Sequence, residues 1–269
     1  MRLPKFIHQI VWNIFIQRHI DPYLTSIRLP PLVGRLFNKG TRNEFITIGN
    51  EFYTYLRDLT NLKPNESILD VGCGRGRIAL PLVRYLSKDG KYFGFDINQE
   101  EINWCRRYIE RKFRNFHFNY VDIYNQLYNP TGKYLASTFK FPYPSNSFDK
   151  VLLASIFTHL TIVDMKHYFE EIARVLKPSG KSLITHFVLN AESVALISRQ
   201  MSFHEFEEKD NISMILKGKL LEDGVAYDEK TIKKLYLDNH LSVEKIYYGS
   251  WCGRKDYLSF QDIIIANKL

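Results

Sequence analysis

The segment Ile68–Leu82 has the sequence ILDVGCGRGRIALPL, and this stretch decides the fold of the chain. A short apolar run ends near Asp70, and three glycines follow at alternate positions, Gly72, Gly74 and Gly76. Apolar residues at helical spacing come next. This order predicts a buried parallel strand, a tight turn and the N-terminus of a helix. Because glycine has no Cβ, the backbone of the turn can approach a ligand closely.

A second apolar strand, Lys91–Asp96, ends on a carboxylate that lies 24 positions after Gly72. An acid at this position can accept hydrogen bonds from both hydroxyls of a ribose. The third glycine comes one position earlier than in dinucleotide-binding turns. Asp70 would repel a pyrophosphate, but it suits a cationic ammonium or sulfonium group. The turn and the acid therefore indicate an adenosine-type cofactor with a cationic end.

Four later segments, added to the glycine turn, make the chain resemble the class I S-adenosylmethionine-dependent methyltransferases. These segments are Phe95–Ile97, Val121–Ile123, Phe148–Ser155 and Ile172–Gly180, so the resemblance covers roughly residues 62–188. It implies an α/β fold, a doubly wound, Rossmann-like, seven-stranded and mostly parallel sheet with an antiparallel last strand. It also implies S-adenosyl-L-methionine as the cofactor.

The resemblance assigns cofactor contacts to residues of these motifs. They are Asp70, Gly72, Cys73, Gly74, Gly76, Asp96, Ile97, Asp122, Ile123 and Ser155. In this assignment Asp96 accepts the ribose hydroxyls and Ile97 packs on the adenine ring. Asp122, at the end of the third strand, accepts the adenine amino group.

His159 is the candidate catalytic residue, because it lies just past the fourth strand, where a methyl acceptor should meet the cofactor. Methyl transfer is an in-line displacement that depends on close alignment. A hydroxyl acceptor also needs a base, and a neutral imidazole can take its proton near pH 7. The alternative is a histidine that orders the loop or contacts the cofactor. His186, within the fifth strand, is the second candidate.

We predict that residues 1–61 form a basic helical extension and residues 62–269 the methyltransferase domain, with 189–226 inserted as a cap over the site. Residues 1–42 carry seven basic side chains against one acidic side chain. Apolar residues recur at helical spacing in Lys5–Ile20, which predicts an amphipathic helix. This helix packs on the core, lies on an anionic membrane or near a lipid-linked substrate, or, ranked last, contacts nucleic acid.

Periodicity and capping signals place the other elements. The predicted helices are about 44–59, 98–112, 164–176 and 228–239, with a helical pattern over 192–201. The predicted strands after the second are 116–121, 150–155, 181–188, 243–248 and 260–267.

Composition limits the class of protein. At 269 residues and 45% hydrophobic content, the chain suits one α/β domain with additions. Its three cysteines are widely spaced, which disfavours a disulfide framework or a zinc cluster, and no compact set of metal ligands is present. No apolar run approaches about 20 residues, and no signal-peptide cleavage pattern appears. We predict a cytoplasmic protein without a metal, and peripheral association with the inner membrane face is the second hypothesis.

The leading hypothesis is transfer of a methyl group to a small-molecule hydroxyl, on a sugar, a lipid-linked glycan or a polyketide- or quinone-like metabolite. Methyltransferases that act on amide or adenine amino groups usually carry Asn/Asp-Pro-Pro-aromatic after the fourth strand, where this chain has Ser-Ile-Phe-Thr at 155–158. The alternatives are an RNA or protein methyltransferase, a catalytically silent binding protein of this fold, and a nucleotide-dependent oxidoreductase. The predicted partner is the small-molecule acceptor; no nucleic acid is expected, and the oligomeric state stays open.

Overall fold

The structure is a computed structural model, and it describes residues 42–269. The predicted helix Lys5–Ile20 and the rest of the basic segment 1–41 lie outside the described residues. The chain divides into two compact units, Met1–Ile46 and Thr47–Leu269. The second unit contains the candidate site and every strand found within residues 42–269.

Eleven strands are present in the described part of the chain. They are β1 Ser67–Val71, β2 Lys91–Asp96, β3 Phe116–Tyr120, β4 Phe148–Leu153, β5 Leu176–His186, β6 Val188–Leu189, β7 Phe206–Asp210, β8 Ser213–Leu216, β9 Val225–Asp228, β10 Leu241–Tyr247 and β11 Asp262–Lys268. Seven of them form one sheet in the order β10-β11-β5-β4-β1-β2-β3. The strands β3, β2, β1, β4 and β5 are parallel, whereas β11 runs antiparallel to both β5 and β10. The predicted seven-stranded sheet with an antiparallel last strand is confirmed.

Helices connect the strands and cover the sheet. They are α1 Arg42–Thr60, α2 Ala79–Tyr85, α3 Gln99–Cys105, α4 Ile162–Val175, α5 Ala191–Ser198 and α6 Glu229–Asp238. Side chains cap four of them: Asn98 accepts from the first turn of α3, Thr161 from α4, Asn190 from α5 and Asp228 from α6. Such caps satisfy amides that have no partner inside the helix.

The strands at the centre of the sheet are buried on both faces, which explains their almost continuous apolar sequences. In β1, Ile68, Leu69 and Val71 are at most 1% exposed. Aromatic rings from β2 and the loop before β4 pack edge to face, as Phe95 does with Phe141 at 5.0 Å between centroids. This core fixes the carboxyl ends of the parallel strands, where ligands bind in such sheets.

Two elements of the main fold differ markedly from the sequence prediction. The helix predicted from 98 to 112 stops being α-helical at Cys105 and continues as one π-helical turn, Arg106–Glu110. Strand β5 begins at Leu176 rather than near 181, because Leu176 pairs with Phe148 across a register shift in β4. Strand pairing here continues through a segment whose proline and glycine residues usually mark the end of a helix.

The predicted cap, 189–226, is only partly helical. It contains α5 and a hairpin of β7 and β8, and a second sheet has the order β6-β9-β8-β7. A short 3₁₀ turn, Leu221–Asp223, follows the hairpin. The hairpin strand β7 is largely exposed, so alternation of buried and exposed residues is weak there. No helix within residues 42–269 is long and apolar enough to span a bilayer.

Candidate active site

The glycine turn after β1 depends on backbone conformations that favour glycine. The φ angles of Gly72, Gly74 and Gly76 are +73°, +50° and +68°. A Cβ built on Gly72 would clash with Cδ1 of Ile156, so the Ile156 side chain would have to move to admit one. This contact also joins the glycine turn to the turn that follows β4.

Asp96 lies at the end of β2, directly beside the glycine turn. Its Oδ2 accepts the Gly74 amide at 2.8 Å, and its Oδ1 accepts the Asn98 amide at 2.8 Å. A carboxylate has about four lone-pair sites, so both oxygens can still accept hydroxyl groups. Burial raises the pKa of Asp96, although the backbone amides of Asn98, Gly74 and Ile97 oppose that shift.

Asp70 lies at the end of β1, and its carboxyl group is buried. The Tyr92 hydroxyl donates to its Oδ2 at 2.5 Å, whereas its Oδ1 has no hydrogen-bond partner among the described residues. Burial, the largest cause, raises the pKa of Asp70 to about 7 against the opposing effects of Tyr92 and Arg77. A buried acceptor left without a partner is costly, so this oxygen is suited to a positively charged ligand group.

Other predicted cofactor residues lie around the same edge. The Asp122 carboxylate accepts Tyr120 Oη at 2.9 Å and Asn129 Nδ2 at 3.3 Å, and these bonds, Tyr120 first, lower its pKa. Ile97 is half-buried, and Ile123 is buried in the main core. The Cys73 side chain is also buried, so the turn presents backbone rather than this thiol.

The turn after β4 brings Ser155 and His159 to the same edge of the sheet. Ser155 has a φ of +61°, a conformation that is uncommon for a residue with a Cβ. Its amide donates to Thr185 Oγ1 on β5 at 2.7 Å. Residues 157–159 then form a single 3₁₀ turn.

His159 is held by the 3₁₀ turn that follows the hairpin. Its Nδ1 lies 2.7 Å from the carbonyl oxygen of Glu222. A carbonyl only accepts, so Nδ1 carries the proton and Nε2 of the neutral ring carries the lone pair. Burial lowers the pKa of His159, and the Glu222 carbonyl and the Asp223 charge oppose that shift. The ring of Tyr128 meets it edge to face at 6.1 Å.

His186, the second candidate base, lies inside the core. It is 2% exposed, packs against Phe157 and lies 3.2 Å from the Tyr236 hydroxyl. Burial lowers its pKa to about 3, so the ring stays neutral. Its surroundings are those of a packed core histidine.

Several contacts at this edge come from residues that the sequence did not single out. Gln261, just before β11, bonds Ser155, and the Glu222 carbonyl orients His159. One signal was available for Gln261, because an antiparallel last strand must begin at the carboxyl edge of the parallel strands. Glu222 contributes only a backbone atom, for which side-chain identity gives no signal.

The residues on this edge fit S-adenosyl-L-methionine. Asp96 retains acceptor capacity for a ribose, and Asp70 Oδ1 can receive the ammonium of the amino-acid end. Within residues 42–269, no three His, Cys, Asp or Glu side chains are grouped as a metal site.

Comparison with known proteins agrees with this geometry. The family profile described as "Methyltransferase domain" matches residues 62–238. The chain is 30% identical over 177 residues to the ubiquinone/menaquinone biosynthesis C-methyltransferase UbiE of Rickettsia bellii, covering 65% of this chain and 62% of that protein. It is 26% identical over 128 residues to a 2-phytyl-1,4-naphtoquinone methyltransferase of Trichormus variabilis, covering 48% and 49%. The chain thus spans between half and two thirds of the length of these relatives.

Solved structures of low sequence identity share the fold. The PH0226 protein of Pyrococcus horikoshii OT3 superposes with a TM-score of 0.58 at 17% identity, covering 91% of this chain and 99% of that one. A SAM-dependent methyltransferase of Aquifex aeolicus gives a TM-score of 0.51 at 18% identity, covering 86% and 100%. With two thirds of its residues matched by the family profile, the chain belongs to the class I S-adenosylmethionine-dependent methyltransferases.

Proposed function

We propose that the protein transfers a methyl group from S-adenosyl-L-methionine to an apolar small molecule that carries an acidic hydroxyl, such as a quinol. The orientation of His159 carries this proposal: its Nδ1 donates to the Glu222 carbonyl at 2.7 Å, so Nε2 is the ring nitrogen that bears the lone pair a base needs. The bound cofactor supplies an electrophilic methyl group. His159 removes the hydroxyl proton of the acceptor, and the resulting oxyanion is the stronger nucleophile.

A phenolic hydroxyl on the acceptor would allow methylation either at oxygen or at a ring carbon. Loss of the proton from a phenolic hydroxyl places negative charge on the oxygen and on the conjugated ring carbons. The relatives include a C-methyltransferase of ubiquinone and menaquinone biosynthesis. We therefore place the acceptor in the quinol class, with the oxygen or the adjacent ring carbon as the methylated atom.

The proposal is tested by turnover. Full-length protein is incubated with S-adenosyl-L-methionine and a panel of reduced naphthoquinols, simple phenols and sugars, and S-adenosylhomocysteine formation is measured. We expect product with quinols and little with sugars, and NMR of the product identifies the methylated atom. Methylation of sugars but not of quinols contradicts the acceptor class, and binding of cofactor without any turnover favours a silent binding protein.

Replacing Asp96 with alanine tests the cofactor site. We expect S-adenosylhomocysteine binding to weaken by about 1–3 kcal/mol, because ribose hydroxyls and the Gly74 amide lose their acceptor. Isothermal titration calorimetry measures the change. The matched control is Asp89→Ala, which removes an exposed acid from the loop at the opposite end of β2. Equal affinity of the Asp96 variant and the wild type contradicts the assignment.

Asp70 should make cofactor binding depend on pH. Its pKa of about 7 means that, near pH 6, binding of an ammonium must first displace a proton. We expect S-adenosylhomocysteine affinity to rise roughly tenfold between pH 6 and pH 7.5, since one pH unit below a pKa costs about a factor of ten. Asp70→Asn should remove most of this dependence in calorimetric titrations.

The same group affects the stability of the cofactor-free protein with a defined sign. The pKa of Asp70 in the folded state lies above its usual value, so the folded protein binds more protons than the unfolded chain. Stability is therefore lost as the pH rises from about 4 to about 7. The difference in melting temperature between the wild type and Asp70→Asn should change over this window, and a constant difference is the contrary result.

A further inference from the structure

Gln261 spans both ends of the turn that precedes His159. The Ser155 hydroxyl donates to Gln261 Oε1 at 2.9 Å, and Gln261 Nε2 lies 3.5 Å from Thr158 Oγ1. Thr158 is fully buried, and His159 is the next residue. One side chain from the last part of the chain therefore contacts the turn at two points separated by three residues.

The turn needs such contacts because part of it is strained. Ser155 is in the left-handed conformation, with a φ of +61°. Residues with a Cβ persist there only when their surroundings hold them. The Thr185 hydroxyl accepts the Ser155 amide, and Gln261 accepts the Ser155 hydroxyl, so both polar groups of this serine are anchored.

Two other sides of the turn are already fixed. Ile156 packs over Gly72 and so joins the turn to the cofactor side of the site. On the other side, the backbone carbonyl of Glu222 accepts a hydrogen bond from His159 Nδ1. Gln261 provides the contact from the third direction, that of the last strand.

Gln261 is itself held firmly by its neighbour in sequence. The Asp262 carboxylate, which is fully buried, accepts the amides of Val188 at 2.7 Å and Gly249 at 2.6 Å. The first residue of β11 is thus tied to the first residue of β6 and to the loop between β10 and β11. The backbone position from which the Gln261 side chain extends is therefore well defined.

We infer that Gln261 is a positioning residue, which sets the alignment of His159 by holding Ser155 and Thr158. This inference rests on the proposed function of His159 as the base. The Gln261 side chain is complementary to the turn: its carbonyl oxygen accepts a hydrogen bond from the serine hydroxyl, and its amide nitrogen faces the threonine hydroxyl.

The test begins with Gln261→Ala in the full-length protein, assayed with a quinol that the wild type methylates. We expect kcat to fall by about 10- to 100-fold, because alignment of the reacting groups is lost. S-adenosylhomocysteine affinity and the KM of the cofactor should stay within twofold of wild type. The control Asn267→Ala removes an amide from the other end of β11, where its side chain donates to the Glu244 carboxylate at the surface, and should leave kcat unchanged.

A double variant separates positioning from a general structural effect. If Gln261 acts through His159, Gln261→Ala should cost little further activity in a His159→Ala background. A variant with a carboxylate supplies a second readout. Gln261→Glu keeps an acceptor for Ser155 but adds a charge, which should raise the pKa of His159, as followed by NMR of its imidazole without any turnover.

The outcomes are distinct. Wild-type protein that methylates no hydroxylated acceptor defeats the proposed function, whatever the Gln261 variants do. Active wild-type protein with an equally active Gln261→Ala variant defeats the inference alone. An equal loss from Gln261→Ala in the wild-type and His159→Ala backgrounds also defeats it, as does an unchanged His159 titration in Gln261→Glu.

Discussion

Replacing His159 with alanine is expected to lower turnover by roughly 10²–10⁴-fold, the usual contribution of a general base. The affinity for S-adenosylhomocysteine should stay near that of the wild type, because the ring is oriented by Glu222 and not by the glycine turn. Single-turnover assays with a quinol acceptor, together with calorimetry, separate these two effects. A variant that keeps most of its activity shows that His159 only orders the turn.

The pH profile supplies an independent check of the same role. Burial lowers the pKa of His159 below its usual 6.5, so the ring is neutral throughout the neutral range. Activity should therefore reach a plateau near pH 7 and fall on the acid side, as the imidazole gains a proton and loses its capacity as a base. His240→Ala, which removes an exposed histidine beyond α6, is the matched control and should keep both the plateau and the acid limb.

The sequence predicted the sheet well because its signals are local. The glycine turn follows β1 within three residues, and Asp96 closes β2, so each motif sits on the element that presents it. The helix predicted to start at residue 98 does start there, with Asn98 as its N-cap. Local patterns of this kind are set by neighbours along the chain, which is why they survive without knowledge of tertiary packing.

The contacts of His159 could not be predicted from the sequence, because they join residues that are far apart along the chain. Glu222 is separated from it by 63 positions, and Gln261 from Ser155 by 106 positions. These pairs meet only after the small sheet forms and β11 inserts between β5 and β10. A single sequence contains no periodicity that relates them, so His159 could be proposed as the base from the sequence, whereas the residues that hold it in place could not be predicted.

The hairpin within 189–226 shows a third kind of limit. Strand β7 exposes most of its residues, and its partner β8 is only partly buried, so no alternation of apolar and polar residues marks them. Pairing with β9 stabilises β8 as a strand, which its local sequence alone does not predict. The result places Leu221–Asp223 beside His159, and the role of the whole segment as a cap remains our proposal.

Asp262→Ala is expected to destabilise the protein by about 3–5 kcal/mol, the cost of removing one partner from a buried ion pair. The Asp262 side chain is fully buried, and it pairs with Arg254, whose side chain is only 2% exposed, at 3.1 Å. The same carboxylate also accepts Trp251 Nε1 at 2.7 Å. These bonds add to those with the amides of Val188 and Gly249, so alanine would leave four donors without this acceptor.

Thermal and urea unfolding measure this loss, with Asp262→Asn as the graded comparison. Asparagine keeps the shape but has one acceptor oxygen and no charge, so we expect an intermediate loss. Asp238→Ala, which removes an exposed carboxylate paired with Lys234, should unfold like the wild type. A double-mutant cycle with Arg254→Met isolates the pair itself.

If Asp262→Ala unfolds within about 1 kcal/mol of the wild type, a typical loss for any substitution, the carboxylate does not organise this corner of the fold. Gln261 would then lack the fixed backbone from which it reaches Ser155.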